Sequence, residues 1–223
     1  MSHIIAVDGP AGSGKSSVSK AVARRLGFGY LDTGAAYRVL TASALTAGID
    51  LDDESVVVQL WESLNYQAPT DPDGQIFVVN GEDFTDLIRT EGTSSHVSRV
   101  AKHPRVRQAM NVGFRSLADS IAQPGIVIEG RDITTVVAPD APVRVLLTAD
   151  EDVRIARRQA ELGGADASSL TQRDNADRKV VDFMTAADGV VTLDSTHLSF
   201  DDTISALLAI AQEALEGGME GAL

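Results

Sequence analysis

The chain has 223 residues, 43% apolar and 23% charged, which suits one α/β domain with a hydrophobic core and small appended elements. It has no cysteine, so disulfide frameworks and thiolate metal sites are excluded, and His3, His96, His103 and His197 lack metal-ligand spacing. A net charge of −13 excludes a general nucleic-acid binder, which needs a basic surface against phosphates, but is compatible with an enzyme that is positive only locally.

The first residues, Met-Ser-His-Ile-Ile-Ala-Val-Asp, lead straight into an apolar run with no basic leader and no long apolar span. Neither a signal peptide nor a membrane segment is expected, and the cytoplasm is the default. Ile4–Val7 reads as a short buried strand, and a helix is expected over Lys15–Leu26. Between them lies Gly9-Pro10-Ala11-Gly12-Ser13-Gly14-Lys15-Ser16, followed by Ser17, which fits G-x-x-x-x-G-K-[ST]. Its glycines let consecutive backbone N–H groups wrap a phosphate, and the helix start adds the positive end of its dipole. Lys15 is expected to reach the β- and γ-phosphates, and the Ser16 hydroxyl to ligate Mg²⁺. The motif points to ATP or GTP with Mg²⁺ and leaves the reaction open.

Tyr30–Leu31 is a weaker strand ending at Asp32, with a helix expected over Ala35–Thr46. Tyr66–Ile88 interrupts the alternation: a Pro-Thr-Asp-Pro-Asp-Gly turn precedes Gln-Ile-Phe-Val-Val and an Asn-Gly pair, predicting a small inserted antiparallel sheet. A helix over Val106–Ile121 leads to strand Ile126–Ile128, which runs into Glu129-Gly130-Arg131-Asp132. Strand Val143–Leu147 precedes a helix over Asp152–Leu162, on which Arg154 and Arg158 lie four apart with Arg157 beside them. Gly163–Met184 is polar, suits a mobile flap and carries Arg173-Asp174; strand Val190–Leu193 and helix Asp201–Leu215 complete the chain.

Strands alternating with helices predict βαβ units and a P-loop NTPase fold. That fold is a three-layer α/β/α arrangement on a mostly parallel five-stranded sheet, with ligands at the carboxyl ends of the strands. The expected organisation is a single domain: a core of 1–38, 104–156 and 185–223, an insert of 39–103, and a flap of 157–184. No Asn-Lys-x-Asp sequence for reading guanine occurs, which weighs against a regulatory GTPase, and the chain is short for a motor or helicase. Arg38, Arg131 and Arg173 all fall at strand ends or in the flap, where together they can grip a second phosphate opposite the nucleotide. The simplest reading is a phosphotransferase whose acceptor carries its own phosphate.

Several segments resemble the bacterial cytidylate kinases, over nearly the whole chain. They include Asp8 to Ser17, Leu31-Asp32-Thr33-Gly34-Ala35-Ala36-Tyr37-Arg38, Ile88-Arg89-Thr90, Pro104-Arg105-Val106-Arg107, Glu129-Gly130-Arg131-Asp132-Ile133, Arg173-Asp174-Asn175-Ala176-Asp177 and Leu193-Asp194-Ser195. The resemblance implies transfer of the γ-phosphoryl of ATP, with Mg²⁺, to CMP or dCMP in a monomeric enzyme. By position, Arg38, Arg131 and Arg173 would hold the CMP phosphate, and Ser98, Arg107 and Asp132 would read the cytosine edge. Asp177 would take the sugar hydroxyls, and Thr33 and Tyr37 would line the pocket. Lys15, Arg131, Arg154, Arg158 and Arg173 would act on the transferring group, the α-helical arginines swinging in on closure.

Two departures from the family pattern stand out. Thr134 replaces a glycine after Asp-Ile, so a different local turn is expected, and Arg178 and Val180 occupy positions where the family has serine and arginine. Rival readings are a P-loop kinase of another acceptor, such as UMP, AMP or shikimate, and a nucleotide-dependent switch with slow hydrolysis.

Overall fold

The computed structural model describes residues 3–161 and 183–220. Five parallel strands form one sheet in the order β2-β5-β1-β6-β7: β1 His3–Asp8, β2 Gly29–Asp32, β5 Gly125–Gly130, β6 Val143–Thr148 and β7 Val191–Asp194. Each of the five sheet strands the sequence indicated is present, with ends displaced by at most two residues. The register places Asp8 beside Gly130 and Asp32 beside Glu129, so the polar ends of β1, β2 and β5 meet along one edge.

Side-chain alternation along the strands divides the core into two layers. Ile5, Val7, Tyr30, Val127, Val145 and Leu147 face α1 (Lys15–Leu26) and α8 (Phe200–Glu220). Ala6, Leu31, Ile126 and Ile128 face α2 (Thr33–Thr46), α3 (Glu54–Ser63) and α6 (Pro104–Ser120). Burying each such Leu, Ile or Val contributes roughly 1.5–3 kcal/mol, so the sandwich is stabilised mainly by these two apolar seams. Among the described residues no helix is long and apolar enough to cross a membrane.

The region between α2 and α6 contains the expected two-stranded antiparallel sheet, reduced to β3 (Val78–Val79) and β4 (Glu82–Asp83). Asn80 and Gly81 link them with φ values of 51° and 87°, the pair of left-handed residues that a tight hairpin turn requires. Phe77, Val79, Phe84 and Ile88 pack on the outer face of α2, at Ala35, Val39 and Ala42. This region is more helical than the sequence suggested: besides α3 it holds α4 (Glu91–Ser94) and α5 (Val97–Ala101). Two ties secure it. The Tyr30 N–H on edge strand β2 donates to the Thr70 carbonyl (2.8 Å), and Asp52 accepts from Arg99 and Lys102 (2.5 Å each) beside the α5–α6 junction.

Helix α7 (Glu151–Glu161) stands directly against the loop following β1. The flap arginine Arg173, with Asp177, Arg178 and Val180, lies outside the described residues.

Candidate active site

The β1–α1 loop is the centre of the site. It leaves the sheet at Asp8, and Gly14, at φ 86°, caps the N-terminus of α1. Gly12, at φ 75°, is required twice over: its backbone is left-handed, and a Cβ there would lie 2.6 Å from the Arg154 carbonyl of α7. Carbonyls of this loop accept from arginines of two other elements. Arg131 donates to Gly9 O (2.5 Å), Arg154 to Ala11 O (3.0 Å) and Arg157 to Ser13 O (3.3 Å). The Arg131 guanidinium also lies over the Phe183 ring, 4.3 Å from its centroid.

Glu129, at the end of β5, is a hub that the sequence reading did not assign. Ser16 Oγ donates to its Oε1 (2.6 Å), Tyr30 Oη donates to the same oxygen (3.0 Å), and Lys15 Nζ lies 3.9 Å from Oε2. Burial pushes the Glu129 carboxyl up and the nearby Asp32 charge adds to that, while Lys15 and the hydroxyls of Ser16 and Tyr30 oppose it. Tyr30 is raised too, by burial first and then by the carboxylates, so it remains a donor. The available signal was a lone carboxylate closing the apolar run Gly-Ile-Val-Ile, a placement favourable only if its charge is used.

Asp8 is a second such carboxylate. It accepts from the N–H groups of Ile133 and Thr134 (2.8 Å each) and from the Thr134 hydroxyl (2.6 Å). Burial raises its pKa against these three donors. Thr134 thus has a use that a glycine could not supply, and the turn it sits in, Ile133–Val137, is a wide π turn.

On the α2–α6 side, Arg107 donates to Asp132 Oδ2 (2.6 Å), the two side chains 17% and 13% exposed, so the pair is largely removed from water. Burial raises the Asp132 carboxyl, and Arg107 holds it down. Tyr37 packs edge-on against Phe114 at 6.5 Å, and its hydroxyl is raised by burial and then by the nearby Asp132 charge. Thr33, the first residue of α2, is buried, and its hydroxyl donates to Glu129 O (2.8 Å), which ties the start of α2 to β5. Arg38 is half-buried, with its guanidinium beside Gly34, and makes no hydrogen bond or ion pair among the described residues. Ser98 is half-buried on α5, which packs on α2 and α6.

The structure therefore brings together Gly9 to Ser17, Glu129, Arg131, Arg154 and Arg157 at the carboxyl ends of β1, β5 and β6. The Arg107–Asp132–Tyr37 group stands beside them. Hard oxygen donors at Ser16 and Glu129 fit a small divalent cation that takes its remaining ligands from phosphate and water. Among the described residues no group of three or more His, Asp or Glu could hold a metal alone.

Residues 5–213 match the family model described as cytidylate kinase. The chain is 43% identical over 218 residues to the cytidylate kinase of Cutibacterium acnes, covering 95% of this chain and 97% of that protein. It is 42% identical to the cytidylate kinase of Streptomyces avermitilis (94% and 93% covered) and 40% identical to that of Geobacillus kaustophilus (95% and 97%). A solved gluconokinase from Sinorhizobium meliloti 1021 shares the fold, with a TM-score of 0.53 at 18% identity over 98% of this chain and 97% of that one. On this evidence the chain belongs to the cytidylate kinase family, and its activity is phosphoryl transfer to cytidylate.

Proposed function

We propose that this chain transfers the γ-phosphoryl of ATP to CMP or dCMP at the carboxyl edge of β1 and β5, and that the residues assembled there carry the reaction. The observation that supports this most is the adjacency of two differently built sites. One is a phosphate loop with Lys15 and Ser16 at Glu129, and the other is the partly desolvated Arg107–Asp132 pair under Tyr37.

Transfer between two bound phosphates needs in-line positioning and charge neutralisation more than covalent help. The loop N–H groups of Gly9 to Ser17 hold the donor's phosphates, and Lys15 leaves Glu129 for the β- and γ-oxygens. Ser16 and Glu129 would hold Mg²⁺, which when bound neutralises charge between those oxygens. Arg38, which has no protein partner among the described residues, takes the acceptor phosphate with Arg131 and, from the flap, Arg173. Arg107 and Asp132 read the base: cytosine offers an amine to a carboxylate and acceptors to a guanidinium and the Ser98 hydroxyl. Uracil reverses part of that pattern and leaves buried groups unpaired. Thr33 and Tyr37 wall the recess, Asp177 serves the sugar, and Arg154 and Arg158 approach the transferring group when the flap closes. The division into a core, an insert of 39–103 and a flap of 157–184 belongs to the same reading, as do a cytoplasmic, monomeric state and a place in pyrimidine nucleotide metabolism.

Lys15→Ala is the direct test. The lysine charge matters most in the transition state, so kcat should fall by roughly three orders of magnitude or more while the chain still folds. Turnover within a few-fold of wild type would show that the loop does not position the transferring phosphoryl.

A further inference from the structure

Arg157 lies beside Arg154 and Arg158 on α7, and its guanidinium joins several parts of the fold. Its Nη1 donates to Ser13 O (3.3 Å) and to Ser195 Oγ (2.9 Å), and its Nη2 donates to Ser195 O (2.8 Å). Ser195 is fully buried just after β7, and both its N–H (2.8 Å) and its hydroxyl (3.0 Å) donate to Thr148 O at the end of β6. One planar guanidinium thus joins α7, the loop after β1 and the ends of β6 and β7.

The consequence for the phosphate loop follows from peptide geometry. In a trans peptide the C=O of one residue and the N–H of the next point in opposite directions, and no cis bond occurs among the described residues. Holding Ala11 O outward on Arg154 therefore aims the Gly12 N–H inward, and holding Ser13 O outward on Arg157 aims the Gly14 N–H inward. The third bonded carbonyl, Gly9 O on Arg131, precedes Pro10 and has no N–H to aim. Among the described residues the Gly12 and Gly14 amides donate to no protein acceptor, whereas the intervening Ser13 N–H turns back to Pro10 O (3.4 Å). Two aimed and uncommitted donors are what a phosphate cradle needs, and a cation on the carbonyl strengthens the N–H of the same peptide.

We propose that Arg157 is a positioning residue for the nucleotide triphosphate: through Ser13 O it sets and polarises the Gly14 amide, with Ser195 fixing the guanidinium. This rests on reading Gly9 to Ser17 as the triphosphate site. The test titrates ATP and CMP separately into the full chain, as wild type, Arg157→Met and Arg157→Lys, and follows the Gly14 amide by NMR. In Arg157→Met the Kd for ATP should rise about tenfold while that for CMP stays within about twofold, since only the triphosphate meets the loop amides. The shift of the Gly14 resonance on ATP addition should shrink in the same variant. Arg157→Lys should raise the ATP Kd about threefold or more, because an ammonium cannot serve Ser13 and Ser195 with a planar fork.

An ATP Kd within about twofold of wild type in Arg157→Met, on the same energetic grounds, overturns the assignment. So does a parallel loss of ATP and CMP affinity with a lowered melting temperature, which would mark the residue as a structural tie only. If the Met variant does not fold, Arg157→Lys decides alone, and an unchanged ATP Kd there overturns the proposal. A wild-type chain that binds no ATP overturns the phosphate-loop reading and this assignment with it.

Discussion

Asp8 and Asp132 show how single buried carboxylates are tuned by what donates to them. Thr134 supplies two of the three donors to Asp8, one from the backbone and one from its hydroxyl. Thr134→Val keeps the shape and removes the hydroxyl, which should destabilise the protein by about 1.5–3 kcal/mol at neutral pH, the range for a hydrogen bond to a charged group. The pH dependence has a definite sign. Asp8 is raised in the folded state, so its ionisation weighs against folding as pH rises from 3.8 through the folded value, and is not felt below 3.8. Losing the hydroxyl raises that folded value further, so the deficit of the variant should be largest near pH 7 and shrink toward pH 4. Urea unfolding at the two pH values measures it; a deficit independent of pH would show that Thr134 acts by packing alone. At the Arg107–Asp132 pair, Asp132→Ala or Arg107→Met should reduce kcat/KM for CMP far more than for UMP, because lost bonds to the base edge penalise the matched ligand most. Equal losses for both would mean the pair only braces the recess.

Among the elements, those whose signal is local were readable from the sequence, and those whose signal is tertiary were not. The β1-loop-α1 unit follows from its glycines and the apolar runs on either side, and the Asn80-Gly81 hairpin from its turn chemistry. Helices α4 and α5 are only four and five residues long, too short to show an apolar period, and are held by the packing of their region. The bonds from Ser16 to Glu129 and from Arg157 to Ser13 join residues 113 and 144 positions apart, which spacing along the chain does not display. For α7 the sequence identified a cationic helix next to the site, with Arg154 and Arg158 four apart and Arg157 beside them. That Arg154 and Arg157 donate to the loop carbonyls is a tertiary contact that spacing along the chain does not display. The close approach of α7 to the loop makes a separate prediction. Gly12→Ala would put a methyl 2.6 Å from the Arg154 carbonyl, so α7 has to retreat. Together with the strained φ this should cost about 1–3 kcal/mol and weaken ATP binding at least tenfold, read by denaturation and calorimetry. Unchanged ATP affinity would mean that the loop tolerates displacement of α7.

At the scale of the whole molecule, an acidic chain of net charge −13 gathers arginines from separate regions at one edge of its sheet. Arg38 comes from α2, Arg131 from the turn after β5, and Arg154 and Arg157 from α7. The parallel order β2-β5-β1-β6-β7 brings those regions together, and α2, α6 and the turn after β5 place Tyr37, Arg107 and Asp132 beside them. A fold does not by itself fix an acceptor, so the acceptor has to be tested at the site. The most direct measurement is therefore an acceptor screen with purified chain, ATP and Mg²⁺, in which ADP release and the phosphorylated product are both identified. The account predicts turnover with CMP and dCMP that yields CDP and dCDP, at a kcat/KM at least about a hundredfold above that for UMP or AMP, the discrimination available to a site with buried polar groups. ATP hydrolysis that proceeds equally well with no acceptor, or equal phosphorylation of UMP and CMP, would contradict it.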